Sequence, residues 1–181
     1  MRKSIIRGAL LSILLLGFTI PGVALAGGGE KGCSNIGTWF GVVAPGDSTL
    51  TGWMGTVTGK SSNEGSNNIE FANFDATLGL DFYPFNAAVG ITSLHGNWVR
   101  TGGDTFDYTF TGYALDENNT PLYIAKVSGH VTLIMGCQYE HITATLEVFA
   151  WGVSPFDGEP MLAPIPLDDH YGYRATVDLP Y

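Results

Sequence analysis

Residues 105 to 111 alternate without a break, and that alternation limits what this chain can become. Phe106, Tyr108 and Phe110 fall on one side, and Thr105, Asp107, Thr109 and Thr111 on the other. Successive side chains of a strand point to opposite faces, so the segment reads as a strand with one aromatic face and one wet face. A helical period would scatter the same residues around a cylinder. Two later runs repeat the pattern. Val127, Gly129, Val131, Leu133 and Met135 oppose Ser128, His130 and Thr132, and Ile142, Ala144, Leu146 and Val148 oppose His141, Thr143, Thr145 and Glu147. One-sided alternation of this kind belongs to antiparallel sheets that turn one face to a core and the other to water.

The rest of the chain fits the same plan. Short β-like runs lie between clusters of Gly, Asn, Asp and Pro, and no stretch carries a helical period. Strands are expected at Gly37–Val43, Trp53–Thr58 and Gly96–Arg100, with an extended stretch over Ile69–Leu80 and a short apolar run over Ala87–Leu94. Turns are expected at Ala44–Asp47, Gly102–Asp104 and Asp116–Asn119, and loops at Gly59–Asn67 and Pro155–Pro166. A last strand is expected at Tyr171–Leu179. The total of about eight strands is enough to close an antiparallel up-and-down β-barrel whose interior holds side chains or one small ligand. A β-sandwich shares the local pattern and is the alternative.

The N-terminus carries a different signal. Arg2, Lys3 and Arg7 precede the apolar run Ala9–Ile20, and Ala24-Leu25-Ala26 has the small-x-small form cut by signal peptidase. Residues 1–26 therefore read as a cleaved signal peptide and 27–181 as one domain, exported to a periplasmic or extracellular space. The apolar run is shorter than the ~20 residues of a spanning helix. Glu30-Lys31-Gly32 before Cys33 is not the apolar-small run of a lipid-attachment site.

Charge and cysteine content narrow the partners. The chain has 8 basic and 17 acidic residues, a formal charge of −9 that becomes −12 when the three basic residues of the signal leave. Such a field repels nucleic acid and anionic membrane, so neither is expected as a partner. A cationic partner is compatible with it, but nothing in the sequence localises one. Cys33 and Cys137 are the only cysteines. An even pair in an oxidising compartment reads as a disulfide, here closing a loop of roughly 100 residues, worth ~4–5 kcal/mol at most in chain entropy.

Two features resemble the calycin barrels, the lipocalins and fatty-acid-binding proteins. Gly37-Thr38-Trp39 is similar to the G-x-W that opens their first strand, and Arg174 in Tyr173-Arg174-Ala175 stands where their last strand places an Arg across that Trp. The resemblance implies a structural role for Trp39 and Arg174 at one closed end of a barrel. A second triplet, Gly96-Asn97-Trp98, followed by Arg100 and Gly102, is similar to segments of exported bacterial proteins of lipocalin-like type. The T-D-Y triplet that lipocalins carry midway is absent.

For a site, the face carrying Phe106, Tyr108 and Phe110 is expected to line the interior and bind a small hydrophobic molecule. Packing the core is the competing role for these rings, as for Trp53, Phe71, Phe74, Phe82, Tyr83 and Phe85. His130 and His141 flank Cys137 on polar faces, but no third ligand has metal-site spacing. His95 and His170 read as surface residues. Asp81, Asp107 and Asp116 are candidate acids only if buried, and Asp107 lies on the wet face. There is no G-x-S-x-G, no phosphate loop, and no cofactor is expected.

The functional expectation is an exported calycin-like barrel that binds a small hydrophobic molecule or serves a structural role. The alternative is an isomerase or cyclase of allene-oxide-cyclase type on the same barrel, which a buried acid among aromatics would favour. Tyr173, Ala175, Val177, Leu179 and Tyr181 also alternate up to a terminal aromatic residue, the ending of a small outer-membrane barrel. Pro180 and the short strands argue against stable membrane insertion.

Overall fold

The structure is a computed structural model that describes residues 32–42, 50–61, 63–72 and 74–175. The signal assigned to 1–26, the turn at 44–47 and the alternation beyond Ala175 lie outside these residues.

Among the described residues nine strands follow in order: β1 Gly37–Val42, β2 Leu50–Gly59, β3 Glu64–Phe71, β4 Gly90–Ile91, β5 Leu94–Arg100, β6 Thr105–Leu115, β7 Pro121–Ile134, β8 Tyr139–Ala150 and β9 Ile165–Arg174. Eight of them form a closed antiparallel barrel. Leaving β4 aside, each strand pairs with the next in sequence, β3 with β5, and β9 returns to pair with β1, Trp39 facing Arg174 across the seam. The two-residue β4 is a flap on the upper end of β6. Closure leaves no exposed sheet edge along the wall, which decides for the barrel over the sandwich.

The alternation read in β6, β7 and β8 sets the two faces. Phe106, Tyr108, Phe110, Val127, Val131, Leu133, Ile142, Leu146 and Val148 are buried in the interior. Their neighbours on the outside are polar and paired across strands. Thr109 and Ser128 hydroxyls lie 3.2 Å apart, and Lys126 Nζ lies 2.8 Å from Glu147 Oε2.

Several boundaries differ from the sequence reading. The loop expected over Gly59–Asn67 is a short turn, because Glu64–Asn67 already run in β3. Their backbones pair with β2 on one side and β5 on the other, so a polar run becomes a strand through its neighbours. The extended stretch expected to reach Leu80 stops at Phe71. Met135 does not continue the inward face of β7; it sits in the β7–β8 turn at φ 51° and is exposed. The last strand begins at Ile165, six residues before Tyr171, and takes Pro166 in where only β8 pairs with it. Proline is tolerated there because the other side of β9 pairs with β1 only from Tyr171 onward.

One end of the barrel is closed by the segment 33–36, which precedes β1. Cys33 is disulfide-bonded to Cys137 in the β7–β8 turn, with the Cα atoms 5.5 Å apart. Its amide donates to Asp104 Oδ1 at 2.6 Å, and its carbonyl accepts from Arg100 Nη2 at 2.7 Å. Arg174 donates to the carbonyls of Ser34 and, at 3.2 Å, Ile36. This strap thus gathers the β5–β6 turn, the β7–β8 turn and the end of β9. Replacing both cysteines by serine should lower unfolding free energy by about 2–5 kcal/mol, measured by denaturant titration against the oxidised parent. An unchanged midpoint would mean that the arginine contacts hold the strap unaided.

Candidate functional site

The interior is not filled. A cavity of about 320 Å³ lies within the barrel. That is the lower end of the ~300–1,000 Å³ range of small-molecule sites. Trp53, Phe71, Phe74, Leu94 and Leu167 line its outer part, and Val127, Val131, Ile142 and Ala144 its β7–β8 wall. The Phe71 and Phe74 rings stand 5.4 Å apart. Beside this region the loop after β3 packs Phe85 against Tyr123, with ring centroids 5.1 Å apart, and the Tyr123 hydroxyl donates to the Ala76 carbonyl. That contact fixes the loop on the end opposite the strap.

Toward the strap the lining turns polar: Asn35, Asn67, Tyr108, Glu140 and His170 all face the cavity. Glu140 is the second residue of β8, directly above the disulfide-bonded turn, and is only 4% exposed. It shares the inward side with Ile142. Gly172 of β9 lies opposite it, and a β-carbon there would fall inside the contact distance of the Glu140 carboxyl. The glycine is therefore the seat of the carboxyl. At Gly129 an added β-carbon would meet the Thr143 carbonyl at 2.2 Å first and the Tyr108 phenol oxygen at 2.7 Å, so that glycine is required chiefly by the backbone of β8.

Burial pushes the Glu140 carboxyl up from 4.5 to about 8, with Arg174 pulling partly the other way. Tyr108 is raised as well, by burial and then by the charge of Glu140. Among the described residues Glu140 accepts no hydrogen bond and joins no ion pair. The side-chain oxygens of Asn35 and Asn67 are likewise buried without a partner.

The residues singled out in the sequence fall in different places. Tyr108 and Phe110 line the cavity, their rings 4.9 Å apart. Phe106 is fully buried outside that lining, edge-on to Trp98 at 5.5 Å and beneath the Arg100 guanidinium at 4.6 Å. The Arg174 guanidinium lies 4.5 Å over the Trp39 ring, and Trp39 Nε1 donates to the Asn35 carbonyl at 3.0 Å. Trp98 repeats that arrangement by donating to the Thr58 carbonyl at 3.0 Å. Both tryptophans thus satisfy their indole N–H on backbone near the strap end.

The histidines divide. His130 Nδ1 lies 2.7 Å from Asp107 Oδ1 and His141 Nε2 lies 3.1 Å from Asp169 Oδ2, both outside the barrel. Among the described residues no group of three or more His, Cys, Asp or Glu is placed to hold a metal ion. His170, read as a surface residue, faces inward instead. None of Asp81, Asp107 and Asp116 lines the cavity. Asp116 ties its own turn, accepting from the Thr120 and Asn118 amides at 2.7 and 2.9 Å. The interior acid is Glu140, which the sequence reading passed over.

Neither a family model, nor a curated protein, nor a solved structure matches this chain. The geometry defines its class: a closed eight-stranded barrel with an apolar cavity that ends in a buried, unpaired carboxyl.

The carboxyl makes stability depend on pH with a definite sign. Below about pH 4.5 it is protonated in both the folded and unfolded chain. Between 4.5 and 8 the unfolded chain releases a proton that the folded chain keeps. Stability should therefore fall across that window by up to about 1.4 kcal/mol per pH unit, then level off. Urea unfolding at several pH values should show the slope, and Glu140→Gln should flatten it. Gly172→Ala should cost about 1–3 kcal/mol by crowding the carboxyl. Combining it with Glu140→Ala should recover most of that loss, and strict additivity of the two would refute the seating role.

Proposed function

We propose that this protein is an exported calycin-like barrel that binds one small, largely apolar molecule in its interior. The observation that carries the reading is a void of about 320 Å³ in a fold whose inward positions are otherwise closely packed. Protein interiors normally fill to crystal-like density, so a retained cavity with aromatic walls is the expected form of a ligand site. A purely structural barrel gains nothing from the lost contacts.

The proposed ligand-binding residues are Tyr108 and Phe110, with Phe106 supporting them from below and Trp39 with Arg174 holding the closed end. Two features support a barrel that stands in water outside the cytoplasm. The wall presents Thr, Ser, Lys, Glu and His outward and apolar groups inward, the reverse of a membrane barrel around a polar lumen. The disulfide supports an oxidising location, in line with a signal peptide at 1–26.

One observation favours a second reading. Glu140 is an acid buried among aromatic rings, and its position in the cavity suits proton transfer to a bound substrate. An isomerase or cyclase would use the same cavity, and turnover of the bound molecule would separate it from a carrier.

Ala144→Leu tests the shared premise. The added side chain projects into the cavity from the β8 wall without touching the strap. Uptake of an environment-sensitive hydrophobic dye by the parent, displaced by molecules co-purified from the native host, should be lost in the variant. Equal dye uptake by a folded Ala144→Leu protein would remove the cavity from consideration.

A further inference from the structure

The strap end of the cavity gathers side-chain acceptors that have no partner. Glu140 is buried with no hydrogen bond and no ion pair among the described residues. Asn35 and Asn67 line the same space, are 4% and 6% exposed, and have unpartnered side-chain oxygens. Buried polar groups are satisfied in the great majority of cases, so two unpartnered amide oxygens beside a carboxyl around one small void point to a partner from outside the chain. Most guanidinium and indole N–H groups at this end are engaged elsewhere, Arg174 Nε being the one buried without a partner. Arg174 spends both terminal nitrogens on the Ser34 and Ile36 carbonyls and lays its face on Trp39. Trp39 donates to Asn35 and Trp98 to Thr58. The remaining wall presents the rings of Trp39, Trp53, Tyr108 and Phe110, whose negative faces attract cations. The chain as a whole is acidic, at −9.

We infer that the ligand is a small amphiphilic amine, its ammonium held by Glu140, Asn35 and Asn67 and its apolar body lying along the aromatic walls. This names the chemistry of the ligand proposed above and rests on that binding reading. A primary ammonium brings three N–H donors to three acceptor groups. An alcohol brings one. A carboxylate would be held only while Glu140 keeps its proton, so its affinity would fall with rising pH where that of the amine rises.

The inference carries a proton balance. Titratable or charged groups around Glu140 are Arg174 and His170 on β9 and Tyr108 on β6; β1 and the strap contribute Trp39 and Asn35, which do not titrate. Tyr108 is raised and stays neutral, and Arg174 stays cationic, through the range that matters. Below about pH 8 the empty cavity holds Glu140 protonated. Seating an ammonium ionises it, and the proton passes to solvent, one per amine bound. Amine affinity therefore rises with pH, about tenfold per unit, and levels off near pH 8.

The test is calorimetric titration of the intact, disulfide-bonded protein with phenethylamine, phenethyl alcohol and hydrocinnamate, three probes of similar body and different head. Buffers of different ionisation heat across pH 6–8 count the protons released. The amine should bind at least about tenfold tighter than the other two at pH 7 and release close to one proton. Glu140→Gln should weaken the amine about a hundredfold, in the range for removing one partner of a buried charge pair, and abolish the pH slope. The same variant should bind the alcohol as the parent does, which also shows that it is folded. His170→Gln should keep the slope. Equal binding of amine and alcohol, tighter binding of hydrocinnamate, or full amine affinity in Glu140→Gln would each overturn the inference. If none of the probes binds while the dye still enters the parent and not Ala144→Leu, the amine inference fails and the binding reading stands. If the dye is excluded as well, both fail.

Discussion

The seam between β1 and β9 is the contact on which the barrel depends. A meander of eight strands closes only when its first and last strands meet, and here they meet over only four residue pairs, from Trp39–Arg174 to Val42–Tyr171. So short a ladder needs support beyond its own hydrogen bonds. Arg174 supplies it in three directions: its backbone pairs across the seam, its plane stacks on Trp39, and its terminal nitrogens hold the strap carbonyls. The disulfide then ties the strap to a turn on the far side of the closure. A surface arginine in one ion pair would contribute little. One that stacks, forks and bridges two elements is different, because its planar fork is held in a single geometry and lysine could not replace it.

The same end that closes the barrel also holds its least favourable group. An ionised carboxyl in an apolar interior costs several kcal/mol unless something compensates, and the chain compensates by leaving the proton on. It does so at a position built for the purpose. Gly172 forgoes a side chain so that the Glu140 carboxyl has room. Room for the carboxyl is thus built into the backbone of the strand that faces it.

The fold was legible where alternation was clean. β6, β7 and β8 carry two-residue periods that set inside and outside with no knowledge of their partners. The site was legible only in part, for three physical reasons. Glu140 keeps the phase of Ile142 and Ala144, but the inward run was read from Ile142 onward, and an acid at the mouth of a turn passes for a turn residue. His170 was hidden by a bulge. Between the pairs Ile142–His170 and Ala144–Leu167, β8 has one residue and β9 has two, so the facing of β9 changes phase there. Leu167 and His170 both line the cavity although three residues apart, a spacing that simple alternation assigns to opposite faces. Asn67 was lost for the converse reason: Glu64–Asn68 has loop composition, and only pairing with β2 and β5 makes it a wall.

The strap and the carboxyl are physically one device. Glu140 begins three residues after Cys137, so the disulfide that positions the strap also positions the turn from which the carboxyl rises. Asn35, on the strap itself, completes the polar end. What raises the Glu140 carboxyl is loss of water, and water is kept from that end by the strap with its two arginine anchors. A barrel open at this end would let water solvate the carboxylate and return it toward its ordinary acidic range. Closing the end keeps the carboxyl in low-dielectric surroundings, where a charge on it would act more strongly than in water. The residues that complete the fold and those that set the chemistry of the cavity are, in this protein, largely the same.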